Sequence, residues 1–150
     1  MTVTVTVTVT VTVTVTGSVA TVVVGDGRRR NALDTAGWDA LRRSVAGLPD
    51  ELQAVVVHGA GATFCARSDL REWDGAEPAV VDASFAAMEA ALRAVEAVPV
   101  PTLAVVKGTA TGAGCLLPSP ATPSSWPARR WSGCRWCGWA SCSAPRSPPG

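Results

Sequence analysis

Two loops rich in glycine, alanine and other small residues, each directly after an apolar run, carry the residues best suited to chemistry. Residues 61–70 follow the apolar run 54–58, and residues 108–115 follow the apolar run 102–106. Backbone N–H groups at the start of a helix have no acceptor within that helix, so they can face a cleft. Two such junctions can each donate one N–H to an oxygen that becomes negative during a reaction. The spacing therefore predicts an oxyanion hole.

Most reactive side chains near these loops allow a chemical and a structural interpretation. Asp69 is an acid or base, or it caps the helix that follows it. Cys65 and Cys115 are nucleophiles or, among small apolar residues, core thiols. The core interpretation is favoured because the single histidine, His58, ends a strand and offers neither thiol a base. Glu72 is interpreted as a solvated helix charge, although it lies close enough to the first loop to be tested as an acid.

A third chemistry is offered by Cys134 and Cys137, which form a Cys-x-x-Cys pair and could join Cys142 and Cys115 in a four-thiolate zinc site. One such pair is a weak signal, and it lies in a tail of unusual composition. The main prediction therefore contains no metal site, and a zinc-binding interaction module stays open as an alternative.

The overall composition limits the partners. With 13 Lys and Arg against 12 Asp and Glu in 150 residues, bulk charge favours neither a nucleic acid nor a membrane surface. No apolar run reaches the roughly 18 residues of a membrane span, and the N-terminus lacks the pattern of a signal peptide. We therefore expect a cytoplasmic protein with free thiols.

These averages hide three unlike segments. Residues 1–17 are a Thr-Val repeat without a unique strand register, which favours an expanded nucleotide repeat or a misplaced start ahead of a domain at 18–117. Residues 118–150 hold four Trp and three Cys but no Val, Ile, Leu, Phe, Met, Lys, Asp or Glu. Read in a shifted frame, this tail becomes rich in Val, Leu and Gly. We therefore hypothesise a frameshift near residues 116–118.

The middle segment alternates strands and helices. Strands are predicted at 19–24, 54–58 and 102–106, and a turn at 25–27. A helix capped by Asp34 or Thr35 and ended by Pro49 separates the first two strands, and a helix at 79–97 precedes the third. The first helix has its apolar positions at helical spacing, and the second is expected to bury its own: Trp38, Leu41, Val45 and Leu48, then Val80, Phe85, Met88, Leu92 and Val95. This order predicts an α/β fold.

Four blocks of this segment resemble the enoyl-CoA hydratase/isomerase (crotonase) family. They are Arg-Asn-Ala-Leu-Asp at 30–34, the strand and turn at 54–61, Phe-Cys-Ala-Arg-Ser-Asp-Leu at 64–70, and residues 101–115. The third block is the most specific. The match covers 19–117, so the resemblance implies the N-terminal half of such a domain, an incomplete crotonase-like ββα spiral.

The resemblance implies an acyl-CoA thioester as substrate, without a covalently bound cofactor. By this resemblance, the thioester carbonyl oxygen would accept hydrogen bonds from the backbone N–H groups of Ser68 and Ala113 as an enolate forms. The implied CoA region comprises Arg30, Ala32, Ala66, Asp69 and Leu70, with positive charge from the run 28–30. The family forms trimers or hexamers.

Two departures from the family pattern bear on the reaction. Arg67 stands where the family usually has Gly, which suggests a strained loop. Leu116 stands where hydratases carry a Glu, and a second Glu position falls in the tail. Hydration needs a base and an acid, so isomerisation, decarboxylation or another enolate reaction is favoured. The alternative is a truncated, impaired fragment without a working site.

Overall fold

The computed structural model of the chain describes residues 2–8 and 10–117. The shifted-frame tail, with three of the four cysteines of the alternative zinc site, lies outside the described residues. The elements, in chain order, are β1 Thr2–Thr8, β2 Val11–Thr16, β3 Val19–Val24, α1 Thr35–Ala46, β4 Ala54–Gly59, α2 Pro78–Glu96 and β5 Thr102–Val105. The predicted α/β class is confirmed, and the three predicted strands and both helices are present.

The five strands form one sheet in the order of the sequence. The pairs β1–β2 and β2–β3 are antiparallel, whereas β3–β4 and β4–β5 are parallel. Helix α1 connects β3 to β4, and α2 connects β4 to β5. Since the carboxyl ends of parallel strands meet at one edge of a sheet, the segments that follow β3, β4 and β5 start close together. Both glycine-rich loops begin at this edge.

The core lies between one face of the sheet and α1. Alternate strand residues point to the same face, so the β-branched runs bury every second side chain. The largest fully buried side chains of this core include Trp38, Leu41, Val22, Val24, Val55 and Val57. Phe64, from the first loop, is buried in the same cluster and anchors that loop to the sheet.

The Thr-Val repeat contributes to this core, which the sequence interpretation did not anticipate. Strand β2 pairs with β3 from Val11 opposite Val24 to Thr16 opposite Val19. Val11 and Val13 are only 1% and 4% exposed. The repeat has no register of its own, but the two-residue turn through Gly17, with a positive φ of 59°, fixes one. The pairing thus crosses the boundary expected at residues 17 and 18, and the division into segments stays a prediction.

Helix α1 begins as predicted, with the Asp34 side chain accepting a hydrogen bond of 2.7 Å from the Gly37 N–H. Helix α2 differs from its prediction, because Val80 and Phe85 are exposed. Its buried face follows Ser84, Ala91 and Val95, with Met88 and Leu92 partly buried. Phe85 lies to one side of this face, and Val80 lies on it by spacing but in the first turn, where it is exposed, so the prediction that they are buried is wrong. Within residues 2–8 and 10–117, no helix has the length and apolarity of a membrane span.

Candidate active site

The two glycine-rich loops lie side by side. The Cys65 N–H donates to the Thr109 carbonyl at 3.1 Å, and the Thr111 N–H donates to the Cys65 carbonyl at 3.3 Å. The Thr111 hydroxyl also donates to the Ala66 carbonyl. Gly114 packs directly on this pairing, because a Cβ atom there would lie 2.0 Å from the Cys65 carbonyl oxygen. These contacts hold the second loop against the first.

On its other side the first loop pairs with the segment before α1. The Leu33 N–H donates to the Arg67 carbonyl at 3.0 Å, and the Asp69 N–H donates to the Leu33 carbonyl at 2.8 Å. In a parallel bridge of this kind, the residue between the two bonded positions points its own N–H the opposite way. The Ser68 N–H therefore faces away from Leu33, and within residues 10–117 it has no backbone acceptor.

The Ala113 N–H belongs to the first turn of the short 3₁₀ helix Gly112–Cys115. Such positions lack an acceptor inside the helix, and Ala113 has no backbone acceptor within residues 10–117. Gly112, with a φ of 52°, lies against Arg67, because a Cβ atom there would be 3.3 Å from the Arg67 Cβ. The residues that precede Ser68 and Ala113 are thus in close contact.

The Ser68 side chain points into the core and is 4% exposed. Its hydroxyl oxygen accepts a hydrogen bond of 2.9 Å from Trp38 Nε1. The hydroxyl lies 3.7 Å from the Met88 sulfur, to which it donates. Because donor and acceptor are both engaged, this hydroxyl is not placed to act as a nucleophile. What Ser68 can offer a ligand is its backbone N–H.

Asn31 joins the turn after β3 to the start of the first loop. Its amide nitrogen donates to the carbonyls of Ala60, Thr63 and Phe64 at 2.9, 2.7 and 3.2 Å. Its amide oxygen accepts from the Gly27 N–H at 2.9 Å. Asn31 is buried and has a positive φ of 57°, a conformation that asparagine tolerates better than most residues. It therefore serves as a clamp on the loop.

The arginine run forms a tight left-handed turn, with φ of 46° at Arg29 and 55° at Arg30. Arg29 forms an ion pair of 2.5 Å with Asp69, while the other two arginines of the run are exposed. The Arg30 carbonyl accepts from the Ala66 N–H at 2.9 Å, so the basic turn lies directly beside the first loop.

Asp69 acts as a cap. Its side chain accepts a hydrogen bond of 3.2 Å from the Arg71 N–H, at the start of the 3₁₀ helix Leu70–Trp73. The structural interpretation of this residue is therefore confirmed. Of the other residues in the implied CoA region, Ala66 is buried, Ala32 is half-buried and Leu70 is exposed. A CoA-binding role for these residues stays a prediction.

Glu72 is not a solvated charge, so that prediction is wrong. Its carboxylate accepts from the Thr35 N–H at 2.9 Å and from the Thr35 hydroxyl at 2.8 Å. The Ser84 hydroxyl donates to the same oxygen at 3.4 Å. A carboxylate is favoured there because the N-terminus of α1 carries free N–H groups and a partial positive charge. Glu72 thereby connects the segment after the first loop to both helices.

Cys65 is a core thiol. Burial raises its pKa from 9.0 to about 12, and a hydrogen bond from the Arg67 N–H offsets only part of this increase. Its sulfur donates to the Asn31 carbonyl at 3.2 Å, so the neutral thiol is the form that the site holds. The Cys115 sulfur donates to the Ala110 carbonyl at 3.0 Å. His58 Nδ1 lies 3.0 Å from the Gly59 carbonyl, at the end of β4.

Arg67 does not require the conformation that favours glycine. Within residues 10–117, the non-glycine residues with positive φ are Arg29, Arg30 and Asn31. The Arg67 side chain is exposed, and the residue facing its Cβ is Gly112. The strain expected of this substitution is therefore absent from the backbone of residue 67. No group of three or more His, Cys, Asp or Glu side chains among the described residues is arranged to hold a metal ion.

Two positioning contacts escaped the sequence reasoning. Asn31 was noted within a family block, but its clamp depends on the fold that brings residues 60–64 beside it. The helical spacing of Trp38 indicates a core position and nothing more. A signal did exist for Trp38, because a buried indole N–H almost always needs a hydrogen-bond acceptor.

Comparison with known proteins agrees with this architecture. The model of the enoyl-CoA hydratase/isomerase family matches residues 14–121. A probable enoyl-CoA hydratase from Mycobacterium tuberculosis strain H37Rv is 39% identical over 107 residues, covering 66% of this chain and 40% of the relative. The zebrafish (Danio rerio) mitochondrial enoyl-CoA hydratase domain-containing protein 3 is 30% identical over 104 residues, covering 67% of this chain and 36% of the relative.

Solved structures show the same relationship. An enoyl-CoA hydratase/carnithine racemase from Magnetospirillum magneticum gives a TM-score of 0.69 at 28% identity, covering 75% of this chain and 44% of that one. An enoyl-CoA hydratase from Thermobifida fusca, solved with acetoacetyl-CoA, gives 0.64 at 27% identity, covering 73% and 48%. The chain thus spans less than half the length of these relatives. With a family match that extends over most of its residues, the chain belongs to the enoyl-CoA hydratase/isomerase family.

Proposed function

We propose that this protein binds an acyl-CoA thioester and stabilises the enolate of its acyl group. The donors are the backbone N–H groups of Ser68 and Ala113. The observation that carries the proposal is the pairing of the two loops, through the Cys65 and Thr111 backbones and the tight contact between Gly112 and Arg67. Donors that are fixed before charge develops need no reorganisation during the reaction.

The neighbouring carboxylates point to the type of reaction. Asp69 is bound to Arg29 and caps a helix, and Glu72 caps α1, so neither is free to activate water. Leu116 occupies the position after the Gly-x-Gly-Cys stretch and brings no carboxylate. Decarboxylation of an acyl group needs no such base, because the electron pair of the breaking C–C bond passes directly into the enolate. Decarboxylation, with CO2 as the leaving group, therefore fits these residues better than hydration, whereas isomerisation would still need a base to move a proton between two carbons.

The CoA phosphates have a suitable partner in the basic turn. Arg29 is neutralised by Asp69, while Arg28 and Arg30 are exposed and take part in no ion pair within residues 10–117. Arginine side chains bind phosphate with paired hydrogen bonds. The Arg30 carbonyl bonds to Ala66 in the first loop, so a ligand held by this turn extends along the loop toward Ser68.

Acetoacetyl-CoA provides the test, because its enolate absorbs in the near ultraviolet whereas its keto form does not. Binding to the oxyanion hole lowers the pKa of the ligand, so an enolate band should appear on mixing at neutral pH. The variant Ala113→Pro lacks one donor N–H, and proline is tolerated in the first turn of a helix. The control Ala113→Ser keeps that N–H. We expect the enolate signal to fall about 100-fold or more in the first variant only.

A second candidate is a folded unit that binds no substrate productively. The observation in its favour is the exposed edge strand β5, where Leu103 and Val105 are 62% and 49% exposed. Exposed apolar side chains on one edge strand are usually covered by another chain segment or by a partner. This candidate predicts that CoA and acetyl-CoA leave the unfolding transition unchanged and that no enolate band appears. Elemental analysis for zinc tests the remaining alternative of a zinc-binding module.

A further inference from the structure

The N–H of Ser68 is directed by a buried contact that lies behind it. Trp38 Nε1 donates to the Ser68 hydroxyl at 2.9 Å, and Trp38 is fully buried in α1. The same hydroxyl reaches the Met88 sulfur on α2. Ser68 is therefore held by both helices at once, through a side chain that has no path to a ligand.

The backbone on both sides of Ser68 is fixed as well. The Arg67 carbonyl and the Asp69 N–H are bonded to Leu33. The Arg67 carbonyl shares its peptide plane with the Ser68 N–H, so its bond to Leu33 limits the rotation of that plane, and the bond from the Asp69 N–H to Leu33 holds the next peptide group. The inward side chain of Ser68 restrains the same plane from the core side. A small rotation of this plane would misalign the donor, and oxyanion stabilisation depends steeply on that alignment.

Helix α1 is itself tied to the first loop. Glu72, four residues after Ser68, accepts two hydrogen bonds from Thr35 at the start of α1. Trp38 lies one turn further along the same helix. The distance between the indole and the loop is thus fixed by two independent connections, one on each side of Asp69.

We propose that Trp38 is a positioning residue for the oxyanion hole, and that its indole N–H sets the direction of the Ser68 N–H through the Ser68 hydroxyl. The inference rests on the proposed function for its effect on a ligand. Its structural part, the coupling of Trp38 to the loop, can be measured without any ligand.

The test compares Trp38→Phe with Trp73→Phe in the full chain. Each variant removes one indole N–H and keeps an aromatic ring. The Trp73 Nε1, however, is buried and has no hydrogen-bond partner among the described residues, and the Trp73 ring stacks on Phe85 with 5.0 Å between the ring centroids. Hydrogen exchange of the Asp69 amide reports the bridge to Leu33. We expect this exchange to accelerate about tenfold or more in Trp38→Phe and to change less than twofold in Trp73→Phe.

The ligand readout is the pKa of bound acetoacetyl-CoA, from the enolate band as a function of pH. We expect this pKa to rise by about one unit in Trp38→Phe, and Ser68→Ala combined with Trp38→Phe to add nothing further, because both changes break the same contact. An unchanged Asp69 exchange rate in Trp38→Phe overturns the inference, and so does an unchanged ligand pKa. An accelerated exchange without any enolate band in the wild type upholds the positioning role and rejects the proposed function.

Discussion

Replacement of Asn31 by alanine should destabilise the fold more than any comparable change on the surface. The substitution removes the amide that binds the carbonyls of Ala60, Thr63 and Phe64 and accepts from the Gly27 N–H. It leaves the Phe64 carbonyl without this partner in the core, and the other three groups without it in partly buried positions. The loop that precedes Cys65 thereby loses its connection to the turn after β3.

The size of the effect follows from these contacts. Four hydrogen bonds at about 1 kcal/mol each give a loss of about 4 kcal/mol. The φ of 57° adds roughly 1 kcal/mol, because alanine adopts the left-handed region less readily than asparagine. The total of about 4 to 5 kcal/mol is a large share of the roughly 5–15 kcal/mol by which a domain is stable.

Urea unfolding followed by circular dichroism measures this loss. The companion variant Asn31→Asp keeps an oxygen for the Gly27 N–H and tolerates the backbone, but it loses the three donated bonds, so we expect a loss of about 3 kcal/mol or more. Gln53→Ala is the control, since it removes only the exposed hydrogen bond from Ser18 and should cost less than about 0.5 kcal/mol. A loss below about 1 kcal/mol in Asn31→Ala would refute the reasoning.

Three further predictions test the packing. Gly114→Ala places a Cβ 2.0 Å from the Cys65 carbonyl oxygen, so urea unfolding should show a loss of about 3 kcal/mol; wild-type stability would argue against the tight pairing of the loops. Val13→Ala should cost about 2 kcal/mol in the same assay and Thr16→Ala less than about 0.5; equal effects would place the repeat outside the core. The pKa of the Cys65 thiol is near 9 in the unfolded chain and about 12 in the folded one, so the folded state holds its proton more tightly. Between these pH values the free energy of unfolding of the wild type should therefore fall, relative to Cys65→Ala, by up to about 1.4 kcal/mol per pH unit. Parallel urea midpoints of the two proteins from pH 8 to 11 would contradict this.

Local patterns predicted the elements well because their signals are local. Apolar runs predicted the three parallel strands, and Asp34 with Pro49 predicted the limits of α1. The Thr-Val repeat was misjudged because register in a uniform strand is set by the turn through Gly17 and by pairing with β3, not by the repeat itself. The buried face of α2 depends on where α1 lies, so helical spacing alone could not select it.

The candidate site divides in the same way. The loops were predictable because glycine-rich segments after strands are visible in the sequence. The contacts that hold them were not, because Asn31, Trp38 and Glu72 act on residues about 30 or more positions away. Such partners become neighbours only when the sheet assembles. Their hydrogen bonds leave no spacing pattern in the sequence.

The near-ultraviolet spectrum of acetoacetyl-CoA mixed with the protein at neutral pH tests the central claim most directly. If the N–H groups of Ser68 and Ala113 form an oxyanion hole, the enolate band appears with the wild type and with Ala113→Ser, and it is lost with Ala113→Pro. If CoA binds but no enolate band appears, or if Ala113→Pro retains the band, the two N–H groups do not stabilise an enolate and the account is contradicted.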